Sequence, residues 1–117
     1  MRIKFDAQLR LLGEEMTHIG SMIESAIQDA THAFLNQDVE TAKRIMSEDE
    51  YIDQEQKKIE NICFQLLIQQ QPVARDLRTI TAAMKMVTDM ERIGDHATNI
   101  AGWVVFAVTG AHEGEEN

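Results

Sequence analysis

From Phe5 to Ala33 the apolar residues of this chain recur at alternating steps of four and three: Phe5, Leu9, Leu12, Met16, Ile19, Ile23, Ala26, Ala30 and Ala33. A seven-residue repeat held over four heptads specifies a long helix with one face that needs a partner helix. Gly13 and Gly20 weaken it by about 1 kcal/mol each relative to Ala. The stripe narrows from large side chains to alanines, so a neighbouring helix can come closer at the Ala33 end.

Asn36, Gln37 and Asp38 interrupt the repeat, and Asp38 is a good N-cap for a second helix. That helix is predicted from about Val39 to Gln70, with Ala42, Ile45, Asp49, Ile52, Gln56, Ile59, Cys63 and Leu66 on its stripe. Gln69, Gln70, Gln71 and Pro72 form the next break. Pro72 suits the first turn of a new helix, where its missing N–H is not needed. The third helix is predicted from Val73 to about Val108, with Leu77, Ile80, Met84 and Val87 on its stripe. Three long helices with short connections give an all-α, antiparallel up-down-up three-helix bundle over residues 1–110, each helix roughly 45–55 Å long at about 1.5 Å per residue. Residues 111–117 read as a flexible acidic tail.

The third helix carries a second apolar stripe: Met86, Met90, Ile93, Ala97, Ile100 and Val104. It covers either a wide core face inside one bundle or a second copy of the chain.

Charge and composition remove several classes of function. Eleven basic residues against twenty acidic ones leave a formal charge of −9, which repels nucleic acid and disfavours an electrostatic grip on anionic lipid. The longest apolar run, Trp103 to Val108, is far short of the roughly 20 residues a bilayer span needs. The first residues contain acids and no apolar core of a signal peptide, and the one cysteine, Cys63, lies on an apolar stripe as a buried, inert thiol. These features predict a cytoplasmic protein, peripheral to a membrane at most, without a structural disulfide.

Acids nevertheless sit on the apolar faces. Glu91 and Asp95 are four apart on the third helix, and Asp49 and Asp53 are four apart on the second, so each pair lies one turn apart on one face. Folding the hairpin at Gln71 places the midpoints of the two pairs roughly 20 and 22 residues from the turn, level to within about 3 Å. Glu24 of the first helix falls at a similar height and is a weaker fifth candidate. Four clustered carboxylates cannot all stay ionised without compensation: some protonate, or bases pair with them, or a cation binds. Arg92 points about 100° away from Glu91. An all-oxygen site suits magnesium, calcium, manganese and, with bridging carboxylates, iron. No His follows these acids at the Glu-x-x-His spacing of oxidase-type di-iron bundles. His96 is a minor candidate ligand; Asn99, four beyond Asp95, could bind or orient one. The alternative is a solvated acidic face. No nucleophile–base pair or Gly-rich phosphate loop is visible, so no catalytic residue is assigned.

Several segments together resemble the PhoU family of phosphate-transport regulators: Met1-Arg-x-x-Phe-x-x-Gln-Leu, Asp49-x-x-Ile-Asp53-x-Glu55, Gln70-Gln-Pro-Val-Ala-Arg-Asp-Leu-Arg78-x-Ile80, and Met90-Glu-Arg-Ile-Gly-Asp95-x-Ala-x-Asn-Ile-Ala101. The resemblance covers residues 1 to about 110. It implies a three-helix bundle whose Asp49, Asp53, Glu91 and Asp95 bind divalent or ferric metal: iron, manganese, zinc or magnesium. It further implies a non-enzymatic negative regulator of phosphate uptake and phosphate-starvation signalling, reporting from a phosphate ABC transporter to a sensor histidine kinase. The rival functions are a carboxylate-bridged metal-dependent enzyme and a metal-free helical interaction module. Family members usually carry two bundles in tandem, whereas this chain has the length of one; Trp103-Val-Val-Phe-Ala-Val-Thr-Gly110 resembles the end of a second repeat. The chain is thus a single-repeat member or a piece of a longer one, and dimerisation would supply the missing half. Arg75 and Arg78, beside Asp76 at the hairpin end, are read as structural residues or a partner contact.

Overall fold

The computed structural model describes residues 2–69 and 72–110. Three helices, α1 (Arg2–Asn36), α2 (Val39–Gln69) and α3 (Ala74–Thr109), follow one another without a strand among the described residues. The all-α three-helix bundle expected from the heptads is the fold observed. Pairs of neighbours set the directions. Glu15 meets Lys58 and Asp29 meets Arg44, so α1 and α2 are antiparallel. Asp49 meets Thr98, and Met46 approaches Gly102, so α2 and α3 are antiparallel too. Gly20 faces Met90 and Ile23 stands beside Gly94, which makes α1 and α3 parallel. The bundle measures 57 × 25 × 18 Å.

The expected stripes of α1 and α2 are largely those that face inward. Phe5, Leu12, Ile19, Ile23, Ile52, Ile59, Cys63, Leu66, Ile80 and Val87 build a large-residue core. Ala30, Ala33, Ala42, Ala97 and Ala101, with Ile45, Val104 and Val105, build a second core at the end where α1 narrows. Small residues there let the helices close up, as the taper of the α1 repeat predicts. On α3 the seam runs through Asp76, Ile80, Ala83 and Val87, so Leu77 is exposed, contrary to its expected place on the stripe. A polar residue takes the buried position because it lies in the first turn of a helix, where backbone N–H groups have no partner within the helix.

The turns follow local chemistry. Asp38 caps α2: its carboxylate accepts from the Thr41 backbone N–H at 3.1 Å and from the Thr41 hydroxyl at 2.7 Å. Gln37 before it has a φ of +51°, the left-handed conformation that lets the chain leave α1. Pro72 lies outside α3 rather than in its first turn. Val73 is the extended cap residue, and the helix starts at Ala74. At the far end Gly110, φ +78°, closes α3 with an N–H bond to the Phe106 carbonyl at 2.7 Å. The expected tail over 111–117 lies outside the described residues, as does Gln70 at the predicted end of the second helix.

Candidate metal centre

Between the two core clusters, α2 and α3 meet through a contact that only a small residue permits. An added Cβ at Gly94 would stand 3.3 Å from Ile52 Cδ1 and 3.4 Å from its Cγ2. Ile52 lies between Asp49 and Asp53 in sequence, and Gly94 lies between Glu91 and Asp95. The same close approach therefore brings the two acid pairs together. One carboxylate oxygen from each of Asp49, Asp53 and Asp95 falls within 4.8 Å of the other two. Glu91 joins them by hydrogen bonds to Asp95 and Asp53. All four expected site residues thus converge from two helices, each partly buried.

The electrostatics follow from that crowding. The hydrogen bond to Asp95, then burial and the Asp95 and Asp53 charges, push Glu91 up to about 7. Asp49 is also raised, first by burial and further by Asp53 and Asp95. A hydroxyl hydrogen bond from Thr98 at 2.8 Å opposes that rise. Thr98 also donates to the Gly94 carbonyl at 3.1 Å, so one hydroxyl ties the acid site to the helix that carries it. Sequence reasoning gave Thr98 no role. The signal was its position seven residues beyond Glu91 on the same face.

The other candidates are not gathered in. Glu24, His96 and Asn99 are exposed, and neither Glu24 nor His96 belongs to the acid cluster. Arg92 turns outward and pairs with Asp89 at 3.6 Å. A second carboxylate contact was not foreseen. Glu55 of α2 hydrogen-bonds to Glu15 of α1, which also reaches Lys58 at 3.2 Å. Glu55 is only 9 % exposed, and burial together with Glu15 holds its carboxyl above the usual carboxylate range. Glu15 is held below that range, first by the hydrogen bond to Glu55 and then by Lys58. Of the two, Glu55 therefore holds a proton the more readily and Glu15 favours the charge.

Chemically, the Asp49, Asp53 and Asp95 oxygens form an all-oxygen donor set. Their spacing suits a hard cation held at about 2.0–2.6 Å from each. Glu91, raised to about 7, takes up a proton more readily than a free carboxyl, which is one way the crowded cluster offsets its negative charge. The donor set therefore fits a divalent or ferric ion.

The class of this three-helix bundle is given by the sequence comparisons. The PhoU domain profile matches residues 16–104, and the chain belongs to the PhoU family. A phosphate-specific transport system accessory protein PhoU homolog of Clostridium acetobutylicum is 46% identical over 98 residues, covering 83% of this chain and 45% of that protein. The homolog of Pseudomonas putida is 37% identical over 98 residues, covering 84% and 38%. The crystal structure of PhoU from Pseudomonas aeruginosa superposes with a TM-score of 0.88 at 30% identity, over 95% of this chain and 53% of that one. The chain thus spans less than half the length of these curated relatives and about half of the solved one. No helix among the described residues is long and apolar enough to cross a membrane.

Proposed function

We propose that this chain is a metal-binding regulatory adaptor of phosphate transport, acting at the cytoplasmic face of the membrane rather than as an enzyme. In this reading Asp49, Asp53, Glu91 and Asp95 hold a divalent or ferric ion. The adaptor restrains phosphate uptake and phosphate-starvation signalling through a phosphate ABC transporter and a sensor histidine kinase. Membership of the PhoU family, and relatives named as accessory proteins of phosphate-specific transport, support the regulatory part. The observation that carries the metal part is the convergence of three carboxylate oxygens within 4.8 Å, with a fourth carboxyl, Glu91, hydrogen-bonded beside them.

When bound, the cation supplies positive charge to the seam and so relieves the repulsion within each acid pair. The protein groups do the rest. Thr98 orients Asp49, the Ile52–Gly94 contact sets the separation of the helices, and α2 and α3 are held in one register. Occupancy then selects the surface that the two helices offer to partners. The chain acts as a homodimer, which restores the length of its relatives.

The test is binding to the purified phosphate transporter in lipid nanodiscs, with the adaptor chelated or reloaded with iron, manganese, zinc or magnesium. Binding that rises on reloading, and does not rise in the Asp53→Asn/Asp95→Asn variant, supports the reading. Equal binding of chelated, reloaded and variant protein would remove the metal from the mechanism.

A further inference from the structure

The net charge of −9 conceals a division along the bundle. Residues 1–12 and 64–80 carry five bases, Arg2, Lys4, Arg10, Arg75 and Arg78, against the two acids Asp6 and Asp76. Residues 13–63 and 81–117 carry six bases against eighteen acids. The two basic stretches meet at one end of the molecule. Glu15 pairs with Lys58 and Gly20 faces Met90, so counting back along the helices brings Ile3, Ile68 and Val73 level to within about 3 Å. Asp76 is buried there, whereas Lys4, Arg10, Arg75 and Arg78 are exposed. None of these four bases forms an ion pair among the described residues.

The same end carries apolar side chains that the bundle leaves uncovered. Ile3 is 85 % exposed, Ile68 75 % and Val73 57 %, and Phe64, Leu67 and Leu77 lie exposed within about one turn of them. Apolar groups standing among lysine and arginine suit the headgroup region of a bilayer. The apolar side chains enter the acyl boundary, and the bases meet anionic headgroups. Side chains that protrude this far favour a fluid layer, which receives them without preformed pockets. A folded partner has to supply a matching, close-packed surface for each.

The acidic remainder does not cancel that attraction. The next acid back from Ile68 is Glu60, roughly 12 Å behind it at about 1.5 Å per residue, and beyond Asp6 the next on α1 is Glu14, roughly 16 Å behind Ile3. The screening length at physiological salt is about 8 Å. The acid seam lies further back, roughly 22–33 Å from the end. The bases at the end therefore act almost alone on a surface beneath them, and the acids orient the molecule by turning away from it. From this segregation we infer that the α2/α3 hairpin end docks end-on against an anionic lipid surface. Ile3, Ile68 and Val73 enter the headgroup layer, and Lys4, Arg75 and Arg78 meet the lipid phosphates. The expectation that the net charge disfavours such a grip treats the charge as uniform, and its segregation removes that premise. The inference adds a direct lipid contact to the regulatory reading above and is independent of metal in the seam. The bundle, 57 Å long and 25 × 18 Å across, then stands on the membrane with the seam clear of it.

The experiment is co-sedimentation of the untagged 117-residue chain with vesicles of three parts phosphatidylcholine to one part phosphatidylglycerol, beside vesicles of phosphatidylcholine alone. The parent is expected to pellet with the mixed vesicles, to partition less into the neutral ones, and to be released as salt is raised. Arg75→Gln/Arg78→Gln is expected to lower the partition by about tenfold or more, and Ile68→Glu to lower it as well. Lys43→Gln, an exposed base at the start of α2 and at the opposite end of the bundle, is expected to bind as the parent does. The altered residues are exposed, so circular dichroism is expected to show full helicity in each variant; if one variant loses it, the other decides. Equal partition into both vesicles, or partition that survives in both end variants, overturns the inference. No partition into either vesicle also overturns it and leaves this end to an acidic protein partner. Neither result touches the metal reading, which is tested by chelation and reloading.

Discussion

Glu55 and Gln37 show how single side chains carry local strain that the fold tolerates. Glu55 is buried with Oε2 lacking a hydrogen-bond partner, while its carboxyl donates a hydrogen bond to Glu15. An amide can make the same donation without titrating, so Glu55→Gln is expected to keep the fold and to weaken the loss of stability on raising pH, read from melting curves at several pH values. Gln37 sits at φ +51° with a side chain that disfavours that conformation. Gln37→Gly is expected to stabilise the protein by about 1 kcal/mol in urea unfolding. Glu55 is also the clearest place where the sequence was not legible. It lies three residues past Ile52 and four before Ile59, so the helical pattern does put it near the core. A carboxyl there reads as surface until Glu15 of another helix is known to meet it.

At the scale of the helix, the α2–α3 contact depends on one absent side chain. Ala at Gly94 gains helix propensity, about 1 kcal/mol, but must displace Ile52 by a few tenths of an ångström, so the two effects nearly cancel. Gly94→Val adds branching and volume and is expected to cost about 1–3 kcal/mol in urea unfolding, and to weaken metal binding in the same preparation. Asp38→Ala removes the cap of α2 and is expected to lower the melting temperature, whereas Asp38→Asn retains most of it. The three helices, the Asp38 cap and the inward faces of α1 and α2 were legible because heptads and capping chemistry are local. The inward face of α3 was less so. It carries two apolar stripes, and periodicity alone cannot say which one the other two helices claim. The structure divides the second stripe, burying Ala97 and Val104 while leaving Met86, Ile93 and Ile100 on the surface. The convergence of Asp49, Asp53, Glu91 and Asp95 was legible from residue counting across the hairpin. Whether those acids hold metal depends on a cation that no sequence contains.

For the whole molecule, the acid seam makes stability depend on pH and metal together. In the metal-free protein Glu91 binds its proton up to about 7, whereas the unfolded chain releases it near 4.5. The folded state therefore holds the extra proton in that window. This contribution is complete below about 4.5 and is lost as pH rises through about 7. Asp49 and Glu55, also raised, act in the same direction. Glu15 and Asp38, both lowered, act oppositely and lose their contribution in acid. The chelated protein is expected to melt at a higher temperature near about pH 5 than near about pH 8, and added metal is expected to abolish or reverse that order by taking the place of the proton. A metal at a hundred times its Kd stabilises the folded state by about 2.7 kcal/mol. The central claim, that the four carboxylates form one metal site joining α2 to α3, is tested most directly by elemental analysis. Untagged protein is equilibrated separately with iron, manganese, zinc or magnesium and desalted beside its Asp53→Asn/Asp95→Asn variant. The account predicts retained metal in the parent and its loss in a variant that remains helical. Parent and variant retaining the same amount, or neither binding metal in a direct titration, would contradict it and leave the seam a solvated acidic face.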